Sequence, residues 1–299
     1  MNPILKQLGF RADDRVLVIH ADDIGMCHAT LPAIADLFEF GLVSSAATMV
    51  PCPWFPQAAA FCRAHPSVDM GVHLTLNCEW ESFRWGPLST RDPASGLLDD
   101  QGYLPAQPAV VAQRADPRAV ATELRAQVSR ALQAGIDPTH VDAHMGTALQ
   151  PPFVRSYLEV ALEHHLPPFL LSREGVERLR VRSGGRMGSE SGDDAALWQE
   201  IEARGLACFD DVAMLPLHDP TDHVAVAKQI IDELRPGLSV LILHPAQDTP
   251  ELRAIAPDWR SRVANYEACL SRELRDYVHR SGVQVIGYRP IRDLLRARG

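Results

Sequence analysis

The 299 residues predict an α/β fold: an irregular (β/α) barrel, TIM-barrel-like, with parallel strands and one long inserted loop. Three observations lead there. Strand-length apolar runs alternate with helical patterns from end to end. Several of those runs close on a histidine, putting polar chemistry at strand ends, where parallel barrels build their sites. No G-x-G-x-x-G follows the first run and no G-x-x-x-x-G-K-[ST] occurs, so the usual marks of a nucleotide-binding open sheet are missing.

Taken in order, the expected strands are Val16–His20, Ser45–Val50, Met70–Leu76, His140–His144, Phe169–Ser172, Met214–His218, Val240–His244 and Val283–Tyr288. Each is short and largely apolar, as strands covered on both faces should be. Helical periodicity fills Leu31–Phe40, Phe55–Ala64, Pro117–Ala134, Phe153–His165, Asp194–Ala203, His223–Leu234 and Trp259–Arg280. Asp116-Pro117 reads as a helix start, an N-cap followed by proline in the first turn. Gly135, Gly205, Gly237 and Gly282 stand where helices should stop.

The alternation describes one domain, residues 1–299, interrupted once. Asn77 to Ala115 is long, rich in Pro, Gly and Asp, and carries Trp80, Phe83, Trp85 and Tyr103. A loop of that length is usually functional or disordered. Its aromatics either form a lid or stacking surface, or simply pin the loop down. The Ser/Gly-rich patch Ser183–Gly192 reads as a mobile loop.

Composition narrows the class. The chain is 46% apolar and 22% charged, a globular balance. A net charge of −9 without a dense Lys/Arg patch argues against a nucleic-acid partner. No apolar stretch reaches membrane-span length and no leader pattern opens the chain, so no membrane partner and a cytoplasmic location are expected. Cys27, Cys52, Cys62, Cys78, Cys208 and Cys269 form no C-x-x-C pair and read mostly as small buried hydrophobes in a reducing compartment. A homodimer is the default expectation for assembly.

The histidines carry the chemistry. His20, His144, His218 and His244 each close an expected strand, and His73 lies within another. Asp23, His73 and His144 offer one carboxylate and two imidazoles, a common ligand set for a hydrolytic divalent metal that leaves room for water and substrate. His140 shares a strand face with His144, so either could be the ligand. Asp22 is placed to act as general base beside such an ion, and His244 to donate a proton to a leaving amine. In isolation Asp22-Asp23 would read as a turn and any one strand-end histidine as structural. The set favours function.

"HADDIGMCHATLPAI", "GLVSSAATMVPCPWFPQAAAFCRAHPSVDMGVHLTLN", "PTHVDAHMG" and "LILHPA" resemble, in order, the motifs of the YdjC-like carbohydrate deacetylases, relatives of the NodB-like deacetylases. "GPLSTRDPASGLLDDQGYLPA" and "VQVIGYRPI" extend the resemblance over nearly the whole chain. It implies an irregular (β/α) barrel, one divalent ion (Zn2+ or Mg2+) and removal of an N-acetyl group from an amino sugar or short N-acetylglucosamine oligosaccharide. By position, Asp23, His73 and His144 match the metal ligands, Asp22 the base and His244 the general acid. Arg173, in "LLSREG", matches a basic residue near the site. A small carbohydrate would then be the substrate, with His20, Trp80, Trp85 and Tyr103 as candidate contacts. The alternatives are a metal-dependent amidase or esterase on another acylated metabolite, and a non-catalytic metal- or carbohydrate-binding barrel.

The chain departs from the family pattern in places. His20 stands where Asn is usual and Ile24 where Phe is usual. Met145-Gly146 follows His144 where a second histidine is common, and "LHPA" replaces "CHPG". These changes leave the ligands intact and bear on substrate identity.

Overall fold

The computed structural model describes residues 2–182, 195–219 and 221–298. The patch Ser183–Gly192 lies outside them. Among the described residues, seven strands form one sheet: β1 Arg15–Ile24, β2 Ser45–Thr48, β3 Met70–Leu74, β4 Val141–Ala143, β5 Asp211–Met214, β6 Gly237–Leu243 and β7 Gln284–Val285. All pair in parallel, in the order β4-β3-β2-β1-β6-β5, with β7 also on β1. Single parallel bridges, Val141 to Pro168 and Leu171 to Phe209, carry the curl from β4 across to the chain entering β5. The fold is the expected irregular α/β barrel.

β1 is the central strand. One edge pairs with β6 from Arg15 to Ala21; the other meets β7 at Val16–Leu17 and then β2 from His20 to Ile24. Its side chains divide by the two-residue period of a strand. Leu17, Ile19 and Ala21 join the large core beneath the helices. Val16 and Val18 point inward, with Phe209, Leu238, Val240, Tyr288 and Ile291. The short helix Pro3–Gln7 adds Ile4 and Leu5 to that inner cluster, so the barrel has an apolar floor. His20 and Asp22 follow Val16 and Val18 in the same alternation. The inner stack thus turns from apolar to polar at His20.

Two expected strands come out differently. Phe169–Ser172 makes only the isolated bridges, because Pro167 and Pro168 supply no N–H and cannot start a ladder. Met214–His218 shifts back to Asp211–Met214, since Pro216 ends the pairing one residue after Leu215 donates to the Ile242 carbonyl. His218 therefore lies in coil beyond β5, not at a strand end.

The stretch 77–115 is packed, not open. It holds a 3₁₀ turn at Pro93–Ser95 and a helix at Pro108–Arg114, and buries Leu97, Leu104 and Val111. Glu123, buried on the helix Pro117–Gln133, accepts hydrogen bonds from the Leu88 and Ser89 amides at 3.0 and 2.7 Å. Arg84 donates to Asp99 at 2.6 Å and to the Leu104 carbonyl at 3.0 Å. The loop is tied down at both ends and in its middle.

Candidate metal centre and its surroundings

Adjacent residues on a regular strand face opposite ways, so Asp22 and Asp23 should not share a site. β1 solves this with a break in register against β2 between Ala21 and Ile24, where Asp23 takes a positive φ of 64°. Aspartate tolerates the left-handed region better than most residues, and a bulge there re-aims its side chain. Asp22 and Asp23 thereby reach one cluster. His144 gets a similar device: it follows β4 directly, and Met145 (φ 50°) and Gly146 (φ 67°) turn the chain sharply away. Such conformations recur at functional sites.

Asp23, His73 and His144 are buried and present their donor atoms to one another. Asp23 Oδ1 lies 3.5 Å from His73 Nε2 and 3.2 Å from His144 Nδ1, yet it is buried with no hydrogen-bond partner. The remaining atoms of each group are occupied. His73 Nδ1 donates to Asp142 Oδ1 at 2.7 Å, and His144 Nε2 to Glu79 Oε2 at 2.9 Å. Asp23 Oδ2 accepts from Arg262 Nη1 at 2.8 Å. Carboxylates behind both imidazoles fix their tautomers, as outer partners of metal-binding histidines do. One oxygen and two nitrogens converge without other partners, and this set fits a divalent cation.

Around this set the charges are balanced by contact. Burial opposes the charged form of His20, but the hydrogen bond to Asp142, the close contact with Asp22 and the negative charge of both push it up to about 10. Burial likewise opposes charge on His144, and Glu79 with Asp23 pushes it up to about 10. For Asp23 burial is outweighed by the Arg262 guanidinium and His144, which hold the carboxyl well below its usual range. Burial dominates at His140 and His244, lowering both.

Asp22 stands beside the ligand set. Its Oδ1 is 2.9 Å from His20 Nε2 and its Oδ2 is 3.8 Å from His244 Nε2. His244 follows β6, and its amide donates to Asn265 Oδ1 at 2.9 Å. Asp22, Asp23, His73, His144, His244 and His20 are thus brought together.

Other expected residues lie elsewhere. Arg173 opens the helix Arg173–Arg182 with its side chain 55% exposed, 3.9 Å from Glu202 and over the Trp198 ring. Trp80 and Trp85 are buried: Trp85 donates to the Asn77 carbonyl and packs edge-on near His144, while Trp80 lies under Arg262. Of the loop's two readings, these two rings follow the pinning one. Tyr103 is 37% exposed, against Arg84. His140 stacks on Tyr288 at 3.7 Å and bonds to Thr139 and not to Asp23. Nothing in the sequence pattern marks Arg262 or Glu79 for the site. Asp258 and Arg262 are spaced four apart on a helix, which reads as a surface ion pair; only the fold shows the guanidinium turned inward.

A parallel barrel with one aspartate and two histidines converging, and a free carboxylate and a late-strand histidine beside them, defines a class: barrels with a candidate metal site of hydrolytic type. The chain belongs to the YdjC-like protein family, whose pattern it matches over residues 16–280. It is 33% identical over 272 residues to a carbohydrate deacetylase of Thermus thermophilus, covering 91% of this chain and 92% of that protein. A carbohydrate deacetylase of Brevibacillus brevis is 26% identical over 278 residues, with 91% and 98% covered. Among solved structures, a candidate cellobiose-phosphate cleavage protein from Enterococcus faecalis superposes with a TM-score of 0.76 at 22% identity, covering 93% of this chain and 99% of that one. That likeness speaks for the fold.

Proposed function

We propose that this chain is a metal-dependent carbohydrate N-deacetylase that removes the acetyl group from an amino sugar or short N-acetylglucosamine oligosaccharide and releases acetate. The observation that carries the metal is Asp23 Oδ1, buried without a partner and facing His73 Nε2 and His144 Nδ1. The named activity of the Thermus and Brevibacillus relatives supports the substrate class. A Zn2+ or Mg2+ ion held by these three groups would polarise the acyl oxygen and acidify a water. The chain's own residues handle the protons. Asp22 takes one from the attacking water, and His244 gives one to the nitrogen as the C–N bond breaks, leaving acetate and a free amine. Their facing atoms, Asp22 Oδ2 and His244 Nε2, are 3.8 Å apart, close enough to flank one reacting group.

One observation favours a second reading, a deacylase or esterase on a less polar metabolite. Met145 sits next to His144 and is 50% exposed, an apolar group at the rim of the site. Acetate release from N-acetylglucosamine oligomers tests the first reading. Native protein should release acetate; chelator-treated protein should be slower, and Asp22→Asn protein slower by at least about 100-fold, the low end of general-base catalysis. Equal rates in all three samples would sink the mechanism. Turnover of other acylated compounds alone would favour the second reading.

A further inference from the structure

His20 has no place in the ligand set, yet its ring is held on every side. It is buried, edge-on to His140 at 5.0 Å and to Tyr288 at 5.8 Å between ring centroids. Its Nδ1 is buried without a hydrogen-bond partner, so all its polar contact passes through Nε2. That nitrogen meets two carboxylates: it donates to Asp142 Oδ2 at 2.8 Å and lies 2.9 Å from Asp22 Oδ1. Asp22 Oδ1 is buried without a regular hydrogen bond; its contacts are His20 Nε2 at 2.9 Å and, farther off, His73 Nδ1 at 3.8 Å, while Oδ2 faces His244.

Without the N–H between them, Asp22 and Asp142 would face each other in a site shielded from water, where like charges repel strongly. Asp22 would swing towards the rim, away from the position it needs as a base. Asp142 is itself fixed by His73, so the Nε2–H that is anchored on Asp142 is held in place where it also faces Asp22.

We propose that His20 is a positioning residue for the base: its Nε2–H, anchored on Asp142, holds Asp22 Oδ1 and leaves Asp22 Oδ2 as the oxygen that accepts the proton. This rests on Asp22 being the base, as read above. The two oxygens of one carboxylate then have separate duties. A donor at the tip of a long, ring-locked side chain is what this geometry requires. Glutamine could replace it, because its amide nitrogen falls near the Nε2 position; asparagine would stop short.

The first test needs no substrate. In protein labelled with 15N at histidine, the His20 Nε2–H signal is identified by its loss in His20→Gln. It should shift in Asp22→Asn and stay put in Asp258→Asn. No shift in Asp22→Asn overturns the proposal. The second test is kinetic, with the N-acetylglucosamine dimer as substrate and Zn2+ affinity read by competition with a chelator. His20→Leu should lower kcat by about 10–100-fold, the usual cost of losing an orienting partner, with KM and Zn2+ affinity within about threefold of native. His20→Gln should keep kcat within about threefold, and in Asp22→Asn protein His20→Leu should cost nothing further. A native kcat in His20→Leu beside an inactive Asp22→Asn overturns the proposal. So does a loss of Zn2+ affinity, which would mean that His20 acts through Asp142 on His73. Full activity in Asp22→Asn marks the failure of the base reading instead. Should His20→Leu fail to fold, His20→Asn takes its place: a loss of kcat is expected, and native kcat overturns the proposal.

Discussion

Asp142 Oδ1 accepts a hydrogen bond from His73 Nδ1 at 2.7 Å, and that contact decides which nitrogen of His73 faces Asp23. The same carboxylate accepts from His20 through Oδ2, so its two oxygens serve two imidazoles. Asp142→Ala frees the His73 ring to turn and removes the charge behind it. Zn2+ affinity should fall by about 10–100-fold, the usual cost of losing such a partner. Competition with a chromophoric chelator measures it, and an unchanged affinity would show that packing alone orients His73.

Arg262 reaches from the helix Trp259–Cys269 to Asp23 Oδ2 and is held from behind by Asp258 at 2.9 Å. Arg262 and Asp23 are both buried, so removing the guanidinium takes away the largest charge that compensates the carboxylate. Arg262→Met should destabilise the metal-free protein by about 3–5 kcal/mol, the range for breaking one side of a buried ion pair. The readout is a lower urea midpoint at unchanged slope. Adding Zn2+ should recover part of the loss, because an ion that binds the folded state alone stabilises it. A native midpoint in the metal-free variant would mean that Asp23 finds another partner.

Gly71, on β3, lies flat against the His140 ring, and a Cβ there would overlap three of its atoms. The ring has nowhere to go, since its other face stacks on Tyr288. Gly71→Ala should lower stability by about 1–3 kcal/mol, as overpacking of a closed site does. Thermal melting checks it. A melting point equal to native would show that the ring can shift.

Much of this was legible in the sequence, for a physical reason. Parallel strands covered on both faces must be apolar, so a histidine or aspartate at their ends stands out, and His73, His144 and His244 could be picked from twelve histidines. What stayed hidden depends on backbone detail or on depth. The register break that aims Asp22 and Asp23 together leaves no composition signal. Glu79 sits in a loop whose path only packing fixes. Arg173 matched a family position, yet its side chain faces Glu202. Trp80 and Trp85 had the chemistry of sugar contacts, but their burial makes them part of the wall.

The apolar floor has a consequence for traffic. Ile4 and Leu5, packed with Phe209 and Leu238, close the barrel end opposite the carboxylates. Among the described residues, the open side of Asp22 is then the rim that carries the exposed Met145 and His244, and arrivals and departures share it. Acetate and amine would share one doorway with incoming substrate and with the water consumed in each cycle. The order of departure then becomes a property of the rim, and a slow product could hold up the next turnover without touching the chemistry at all.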